Sequence, residues 1–243
     1  MFVTGPELSG QLKTIIFDMD GSLTDTMRLQ PYLIQKYLVG RKTGSVLSFS
    51  QVQRRMAVIY YLNHFTWFKV RSVPLFLRQF EVSLVRFLFN APIVVLQYLR
   101  AIRAKERTFF GTADMLRVLK NRGYILGLAT NGRKFEVNRK IKSLLDLFDF
   151  VITSSDVRKK KPSPEMLLKA MKLAKSRPEE SVFVGDTLVD MLAARNAGMH
   201  FLLVTTGTFG PSVVRIGSER PKNVIKSIQE LEHVLSGPSC VFP

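Results

Sequence analysis

The sequence predicts an α/β fold in which a doubly wound parallel sheet carries an inserted group of helices. Short, continuously apolar runs recur along the chain, and stretches with helical periodicity separate them. Strands that are apolar at every residue are typical of a parallel sheet with both faces covered. One segment, residues 26–107, interrupts this alternation and shows only helical patterns. We call this segment the insert.

Five short apolar runs are predicted to be buried strands, and four amphipathic stretches are predicted to be the helices between them. The strands are residues 13–17, 124–129, 150–153, 181–184 and 201–204, and the helices are residues 113–121, 135–147, 164–176 and 189–197. Thr112 and Ser163 stand where N-caps are expected, and Gly123 and Gly198 stand where helices commonly end. Residues 1–25 and 108–243 are therefore assigned to one α/β core domain.

The insert differs from the rest of the chain in composition as well as in pattern. It contains 14 basic and two acidic residues, a net charge of +12 within a total of +17, and 13 of the 25 aromatic residues. Four helices are predicted, at residues 29–39, 51–68, 75–89 and 93–104, with breaks at Pro74 and Pro92. We predict that residues 26–107 form a helical domain inserted after the first strand.

The basic balance of the chain favours anionic partners: nucleic acid, acidic lipid surfaces or phosphorylated substrates. The richest apolar stretch, residues 87–99, is shorter than the roughly 20 residues that a transmembrane helix needs. Two interpretations of the basic, aromatic insert stay open: it lies on a lipid surface, or its aromatic side chains pack against the core. The single cysteine, Cys240, and the absence of a signal-peptide pattern predict a cytoplasmic protein.

Carboxylates follow two of the predicted strands directly. Asp18 and Asp20 come after the first strand, and Asp186 and Asp190 come after the fourth. Ligands of open parallel sheets bind beyond the carboxyl ends of the strands, so these side chains are expected to line one crevice. Two acids at positions i and i+2 can act as nucleophile and as general acid/base. Carboxylate oxygens from neighbouring strand ends are also the ligands that Mg²⁺ prefers.

Two further segments supply groups that suit a phosphate. Thr130 and Asn131 follow the second predicted strand and offer a hydroxyl and an amide beside exposed backbone N–H groups. Lys161 precedes the helix predicted at residues 164–176, where its ammonium group can neutralise a phosphoryl oxygen.

Four motifs, in this order, resemble the haloacid dehalogenase-like hydrolase superfamily, and most closely its phosphoglycolate phosphatase-like members. They are IIFDMDGSLTDT (15–26), LATNG (128–132), KPSPEML (161–167) and VFVGDTLVDMLAARNAGM (182–199). The resemblance implies a Rossmann-like core with an inserted helical cap that closes over substrate. It also implies a phosphatase that hydrolyses the phosphate monoester of a small metabolite, such as phosphoglycolate or a sugar phosphate, through an aspartyl-phosphate.

The resemblance implies a role for each matching residue in catalysis and substrate binding. Asp18 matches the nucleophile, and Asp20 matches the general acid/base that protonates the leaving oxygen and then activates water. Thr130 matches the hydroxyl that holds the phosphoryl oxygens, and Asn131 flanks it. Lys161 matches the cation that pairs with the phosphate and orients the nucleophile.

A Mg²⁺ site is implied in the same way. Asp186 matches the metal ligand, joined by Asp18 and the main-chain carbonyl of Asp20, and Asp190 supports the site. An acid at the position of Asp20 favours phosphoryl transfer over dehalogenation, because release of a halide needs no proton.

Several alternatives are left open by the sequence. The insert matches no particular member of the superfamily, so a lipid phosphate or a nucleic-acid end competes with a small metabolite as the substrate. A sugar-phosphate mutase would use the same two aspartates. A non-catalytic binding protein would use the basic insert as its interaction surface.

Overall fold

Six parallel strands form one sheet in the order β3-β2-β1-β4-β5-β6 in the computed structural model, which describes residues 12–25, 29–39, 47–62, 73–102, 108–207 and 223–236. The strands are β1 (Thr14–Phe17), β2 (Ile125–Ala129), β3 (Phe150–Ile152), β4 (Ser181–Gly185), β5 (His200–Val204) and β6 (Asn223–Ile225). The first five are the predicted strands. The sixth was not predicted, because three residues at the sheet edge make too short an apolar run to stand out.

Helices alternate with these strands and also make up most of the described part of the insert. The α-helices are α1 (Leu29–Leu33), α2 (Phe49–Leu62), α3 (Val73–Phe80), α4 (Leu84–Ile102), α5 (Thr112–Asn121), α6 (Lys134–Lys140), α7 (Glu165–Ala174), α8 (Leu188–Ala197) and α9 (Leu231–Ser236). A π-helix at Ile34–Val39 continues α1, and 3₁₀-helices lie at Lys142–Leu147, Pro178–Glu180 and Ile228–Glu230.

The central strands are buried on both faces, which explains why their sequences are apolar without alternation. Ile15 and Phe17 of β1 belong to one apolar cluster, to which α5 contributes Leu116. Ile16 belongs to a second cluster on the opposite face, to which α7 contributes Met166. The predicted doubly wound α/β fold is confirmed.

Two of the predicted N-caps are off by one residue. Thr112 is the first residue of α5, and its hydroxyl donates to the carbonyl of Phe109 at 2.8 Å instead of accepting from the helix. Pro164 takes the N-cap position of α7 that was predicted for Ser163. The predicted glycine stop at Gly198 is confirmed by its φ of +72°, a left-handed conformation that favours glycine.

The chain segments that lead into the insert and out of it lie next to each other. Thr24 and Thr108 form an isolated antiparallel bridge, and the N–H of Phe109 donates to the carbonyl of Leu23 at 3.0 Å. The exact limits predicted for the inserted domain, residues 26 and 107, lie outside the described residues and stay a prediction.

Inside the insert, two predicted helix limits are wrong. The helix predicted at residues 75–89 is divided in two, because α3 ends at Phe80 and Glu81 has a positive φ of 53°. The predicted break at Pro92 does not occur, and α4 runs through it. Phe87 and Val94, on either side of that proline, pack into the same apolar cluster, and this packing keeps the helix continuous.

Aromatic side chains form the centre of the insert. The Phe76 ring lies 4.6 Å from that of Phe80 and 5.4 Å from that of Phe87, centroid to centroid. Their cluster also contains Leu188 at the start of α8 and Leu203 of β5. For these three phenylalanines, the interpretation that the aromatics pack the insert against the core is confirmed.

Among the helices that the structure describes, none is by itself long and apolar enough to cross a bilayer. Helix α3 and the Leu84–Gln97 part of α4 reach that length and composition only together, and the two are bent by 103°.

Candidate active site

The candidate site lies where the strand order reverses. After β1 the chain adds β2 and β3 on one side, and it then places β4 on the other side of β1. Asp18 follows β1 and Asp186 follows β4, so both stand at this switch point, where open α/β sheets bind their ligands. The backbone N–H of Asp18 donates to the carbonyl of Val184 at 2.8 Å, which continues the pairing of β1 with β4 by one residue.

Lys161 connects two of the predicted carboxylates. Its Nζ donates to Oδ1 of Asp18 at 2.8 Å and to Oδ1 of Asp190 at 2.7 Å, and its side chain is only 2% exposed. Asn131 holds the lysine backbone on both sides: its Oδ1 accepts from the Lys161 N–H at 3.0 Å, and its Nδ2 donates to the Lys161 carbonyl at 3.1 Å. The loop after β2 therefore positions this cation.

Asp190 is oriented by the cap of α8. The Thr187 hydroxyl donates to Oδ2 of Asp190 at 2.5 Å, and the Thr187 N–H donates to the same oxygen at 3.1 Å. With Lys161 at Oδ1, both oxygens of this buried carboxylate have donors. Its position in the first turn of a helix also favours a negative charge.

Asp186 differs from Asp190 in its contacts. Its carboxylate is buried, and its Oδ1 has no hydrogen-bond partner among the described residues. A Cβ added at Gly21 would come 2.3 Å from its Oδ2, and one at Gly207 would come 1.7 Å from the same atom. Two glycines thus leave just enough room for this carboxylate, and at Gly21 the φ of +89° also favours glycine.

The electrostatics of this cluster show an excess of negative charge. Burial raises the pKa of Asp18 to about 7; Lys161 opposes this effect, and Asp190 adds to it. Burial, followed by the charges of Asp190 and Asp18, also raises the pKa of Asp186. Burial acts to lower the pKa of Lys161, but the Asp18 and Asp190 carboxylates outweigh it, and the pKa is raised.

These residues fit a divalent cation. One oxygen each from Asp18, Asp186 and Asp190 lie within 4.8 Å of one another, and all three residues are buried. Three carboxylates with one lysine leave a net negative charge, and the Asp186 Oδ1 lacks a protein donor among the residues described. A set of oxygen donors alone suits Mg²⁺ rather than a metal that favours nitrogen or sulfur ligands.

Asp20 is held by a residue that sequence reasoning missed. Lys140, in the last turn of α6, donates to Oδ1 of Asp20 at 2.7 Å and to Oδ2 at 2.9 Å. Thr24 Oγ1 also donates to Oδ1, at 3.2 Å. Lys140 belongs to no motif and stands 120 residues away from Asp20 in the sequence. The one sequence feature that could have indicated it is a basic residue on the helix after β2, the strand that Thr130 and Asn131 follow.

Thr130 lies at the end of β2 and is 2% exposed. Its Oγ1 accepts from the N–H of Gly132 at 3.1 Å, and the Gly132 carbonyl accepts from the N–H of Ser154 at 3.0 Å. These bonds order the loop that carries Thr130 and Asn131.

The structure thus brings Asp18, Asp186, Asp190 and Lys161 into one cluster. Asn131 reaches that cluster through the lysine backbone.

The haloacid dehalogenase-like hydrolase family matches residues 12–198, which is most of the chain. A relative from Caldanaerobacter subterraneus, provisionally named pyrophosphatase PpaX, is 25% identical over 93% of this chain and 96% of its own. Pyrophosphatase PpaX of Bacillus mycoides is 32% identical over 51% of this chain, and the match spans 57% of that protein.

Solved structures of the same family share the fold. A hydrolase of subfamily IA from Geobacter sulfurreducens has a TM-score of 0.58 at 23% identity, with 97% of this chain and 100% of that one covered. β-Phosphoglucomutase from Clostridium difficile has a TM-score of 0.56 at 19% identity, with 92% and 95% covered. The four motifs, the switch-point site and the family match over residues 12–198 agree: the chain belongs to the haloacid dehalogenase-like hydrolases and is an enzyme of that family.

Proposed function

We propose that the protein is a Mg²⁺-dependent phosphatase that hydrolyses a phosphate monoester through an aspartyl-phosphate on Asp18. The observation that carries this proposal is that two carboxylates which follow the same strand have different lysine partners. Asp18 is paired with Lys161, and Asp20 is paired with Lys140. These different surroundings support our assignment of Asp18 to attack and of Asp20 to proton transfer.

In the first step, a carboxylate oxygen of Asp18 attacks the phosphorus of the ester. The bond between phosphorus and the alcohol oxygen breaks, and Asp20, in its acid form, gives its proton to that oxygen. The alcohol leaves, and Asp18 carries the phosphoryl group. Lys140 stabilises the Asp20 carboxylate that this step produces, because its ammonium group contacts both carboxylate oxygens.

In the second step, Asp20 takes a proton from a water molecule whose oxygen attacks the phosphorus. The bond between phosphorus and Asp18 breaks, and inorganic phosphate leaves. Asp18 returns as a carboxylate and Asp20 as an acid, so the enzyme is ready for another cycle.

The remaining site residues reduce the repulsion between an anionic nucleophile and an anionic ester. Lys161 places a positive charge beside Asp18, and Asn131 maintains that position through the lysine backbone. We assign the hydroxyl of Thr130 and the backbone N–H groups after it to the phosphoryl oxygens.

Asp18, Asp186 and the main-chain carbonyl of Asp20 would hold the Mg²⁺ ion, and Asp190 would support it by orienting Lys161. When bound, the ion supplies positive charge that offsets the charge of the phosphoryl oxygens.

The substrate that we propose is the phosphate ester of a small metabolite, phosphoglycolate-like or a sugar phosphate. Inorganic pyrophosphate is a second candidate, because the relative that matches 93% of this chain carries the name of a pyrophosphatase. The two differ only in the leaving group, which is an alcohol in one and phosphate in the other. The single cysteine of the chain favours the cytoplasm as the compartment.

The test is release of inorganic phosphate from a panel of glycolate, sugar, nucleotide, nucleic-acid-end and lipid phosphates and pyrophosphate, with Mg²⁺ or with a chelator. Asp18→Asn is expected to lower kcat by about a thousandfold or more, and Asp20→Asn by about a hundredfold or more. Asp146→Asn, which changes an exposed carboxylate on a 3₁₀-helix, is the matched control and should leave kcat unchanged.

Four results would contradict the proposal. Phosphate release that persists in Asp18→Asn would contradict the aspartyl-phosphate intermediate. Release that is insensitive to the chelator would contradict the requirement for a metal ion. Transfer of phosphate between two positions of a sugar, without release, would indicate a mutase. Folded wild-type protein that is inactive on the whole panel would favour a binding protein.

A further inference from the structure

Helix α4 exposes a continuous apolar surface to solvent. Seven of its large apolar residues are between 41% and 75% exposed: Leu84, Val85, Leu88, Phe89, Ile93, Val95 and Leu96. At 3.6 residues per turn they occupy an arc of about 180° on one side of the helix, together with the exposed Pro92. We call this arc the α4 face. Scattered exposed apolar residues are ordinary, but a contiguous row on one helix indicates an interaction surface.

The opposite side of α4 already has its partners. Phe87, Ala91 and Val94 pack into the apolar cluster that joins the insert to β5 and α8. The exposed residues are therefore not needed for the core of the insert. The helix is 19 residues long, about 28 Å, so its exposed side offers an extended contact surface.

The positive charge around the α4 face indicates an anionic partner. Arg86 and Arg100 border the arc, and Arg78 is exposed on the neighbouring helix α3. In residues 29–39, 47–62 and 73–102, six basic side chains accompany a single acid, Glu81, which lies 3.8 Å from Arg55. An apolar surface with a basic border is complementary to a surface that is apolar inside and anionic outside.

Other occupants fit less well. A second copy of this chain would bring one insert of net charge +12 against another, and like charges across an interface are unfavourable. Nucleic acid would satisfy the arginines but would leave the apolar side chains without a partner. A membrane-crossing position is unfavourable, because α3 and α4 are bent by 103° and neither is long and apolar enough by itself.

We propose that the α4 face docks the protein onto an anionic lipid bilayer, with the helix axis parallel to the membrane plane. The apolar side chains enter the boundary between headgroups and acyl chains, while Arg86 and Arg100 pair with lipid phosphates. No residue of the α4 face belongs to the carboxylate cluster, so vesicle binding and phosphate release test the two proposals separately.

Vesicle flotation of the full chain tests the proposal, with vesicles of phosphatidylcholine alone and of phosphatidylcholine mixed with phosphatidylglycerol. The wild type is expected to float with the mixed vesicles, and the bound fraction should fall as salt is raised. Leu88→Gln/Phe89→Gln should lower the partition coefficient at least about tenfold, because two exposed apolar side chains lose their burial in lipid. Arg86→Gln/Arg100→Gln should lower binding to mixed vesicles only.

The matched control is Leu168→Gln/Leu173→Gln, which changes two leucines of helix α7 that are 49% and 53% exposed. This variant should float like the wild type. Circular dichroism and phosphate release show that each variant is folded.

Wild-type protein that fails to float with mixed vesicles would overturn the proposal, as would equal loss of binding in the α7 control. Light scattering identifies the competing occupant: a dimer that Leu88→Gln/Phe89→Gln dissociates, without vesicle binding, would assign the α4 face to a second copy of the chain.

Discussion

Two lysines of the site contact carboxylates that the motifs identify, yet their surroundings differ. Lys161 is 2% exposed and lies between Asp18 and Asp190, so it neutralises part of a buried anionic cluster. Lys140 is 10% exposed at the side chain, and among the described residues Asp20 is the one carboxylate that it contacts. A helix that carries no motif thus places an ammonium group against both oxygens of Asp20.

We predict that Lys140→Met lowers kcat by about tenfold or more with little change in KM. The reason is that Asp20, to which we assign proton transfer, loses a charge-assisted hydrogen bond, and such bonds contribute roughly 1.5–3 kcal/mol. Steady-state kinetics on the preferred ester measure both constants. Lys142→Met removes an exposed lysine two residues further on and is the control. A change in KM alone, or equal effects in both variants, would show that Lys140 does not act through Asp20.

Alanine variants of Gly21 and Gly123 can distinguish the cost of backbone strain from the effect of lost space in the site. Both have a positive φ, +89° and +85°, but a Cβ at Gly21 would meet Asp186 whereas one at Gly123 has nothing within 4 Å. We predict that Gly123→Ala loses about 1 kcal/mol of unfolding free energy and that Gly21→Ala loses more, because its Cβ would overlap Asp186. We expect Mg²⁺ to raise the Tm of the wild type and of Gly123→Ala but not that of Gly21→Ala, because Asp186 must move.

Differential scanning fluorimetry with and without Mg²⁺ measures this difference. Gly123→Ala is the control for the conformational cost. A normal Mg²⁺ response in Gly21→Ala would contradict the metal site that we assign to Asp186.

At the scale of elements, an exposed ion pair joins the start of β1 to the turn before β4. Glu180 accepts from Lys13 Nζ at 2.5 Å and from the Arg177 N–H at 3.0 Å. The hydrogen bond from Lys13, followed by those from Arg177, lowers the pKa of Glu180 from its ordinary 4.5 to about 2. This contact supports the pairing of the two strands that carry Asp18 and Asp186.

We predict a pH-dependent difference in stability between the wild type and Glu180→Gln. Because the folded pKa is the lower one, the contribution of Glu180 is present above pH 4.5 and is lost as the pH falls towards about 2. Tm curves of the two proteins should therefore lie apart at neutral pH and converge on acidification. Glu179→Gln, an exposed neighbour that contacts the same arginine at 3.2 Å, is the control. Parallel curves over the whole range would contradict the assignment.

At the scale of the whole molecule, residues of the insert and residues of β5 and α8 share one apolar cluster. Phe76 is 2% exposed, and its cluster includes Leu188 of α8 and Leu203 of β5. Leu188 stands two residues after Asp186, so this packing also connects the insert to the site. A connection of this kind predicts that the two parts unfold together.

We predict a single unfolding transition, with Phe76→Ala lowering its free energy by about 3–5 kcal/mol. Denaturant unfolding should be followed by circular dichroism, which reports all helices, and by fluorescence of Trp67, the only tryptophan of the chain. Coincident curves are expected in both proteins. Separate transitions in the wild type would show that the insert folds on its own.

The sequence by itself determined five of the six sheet strands, the motifs and the order of the site residues. The reason is local: a buried strand is a short apolar run, and the polar residues that follow a strand end stand next to it in the chain. The predicted carboxylates therefore appear at the predicted strand ends, and Asp18, Asp186 and Asp190 meet in space.

Only the tertiary structure decided which side chains these carboxylates meet and how the insert lies. Lys140 reaches Asp20 across 120 residues, and no local pattern records such a contact. Pro92 stays inside α4 because Phe87 and Val94 pack on both sides of it. In the sequence, the apolar residues of the same helix form one hydrophobic stretch. In the structure, packing divides them into a buried side and an exposed side, and the sequence pattern does not show this division.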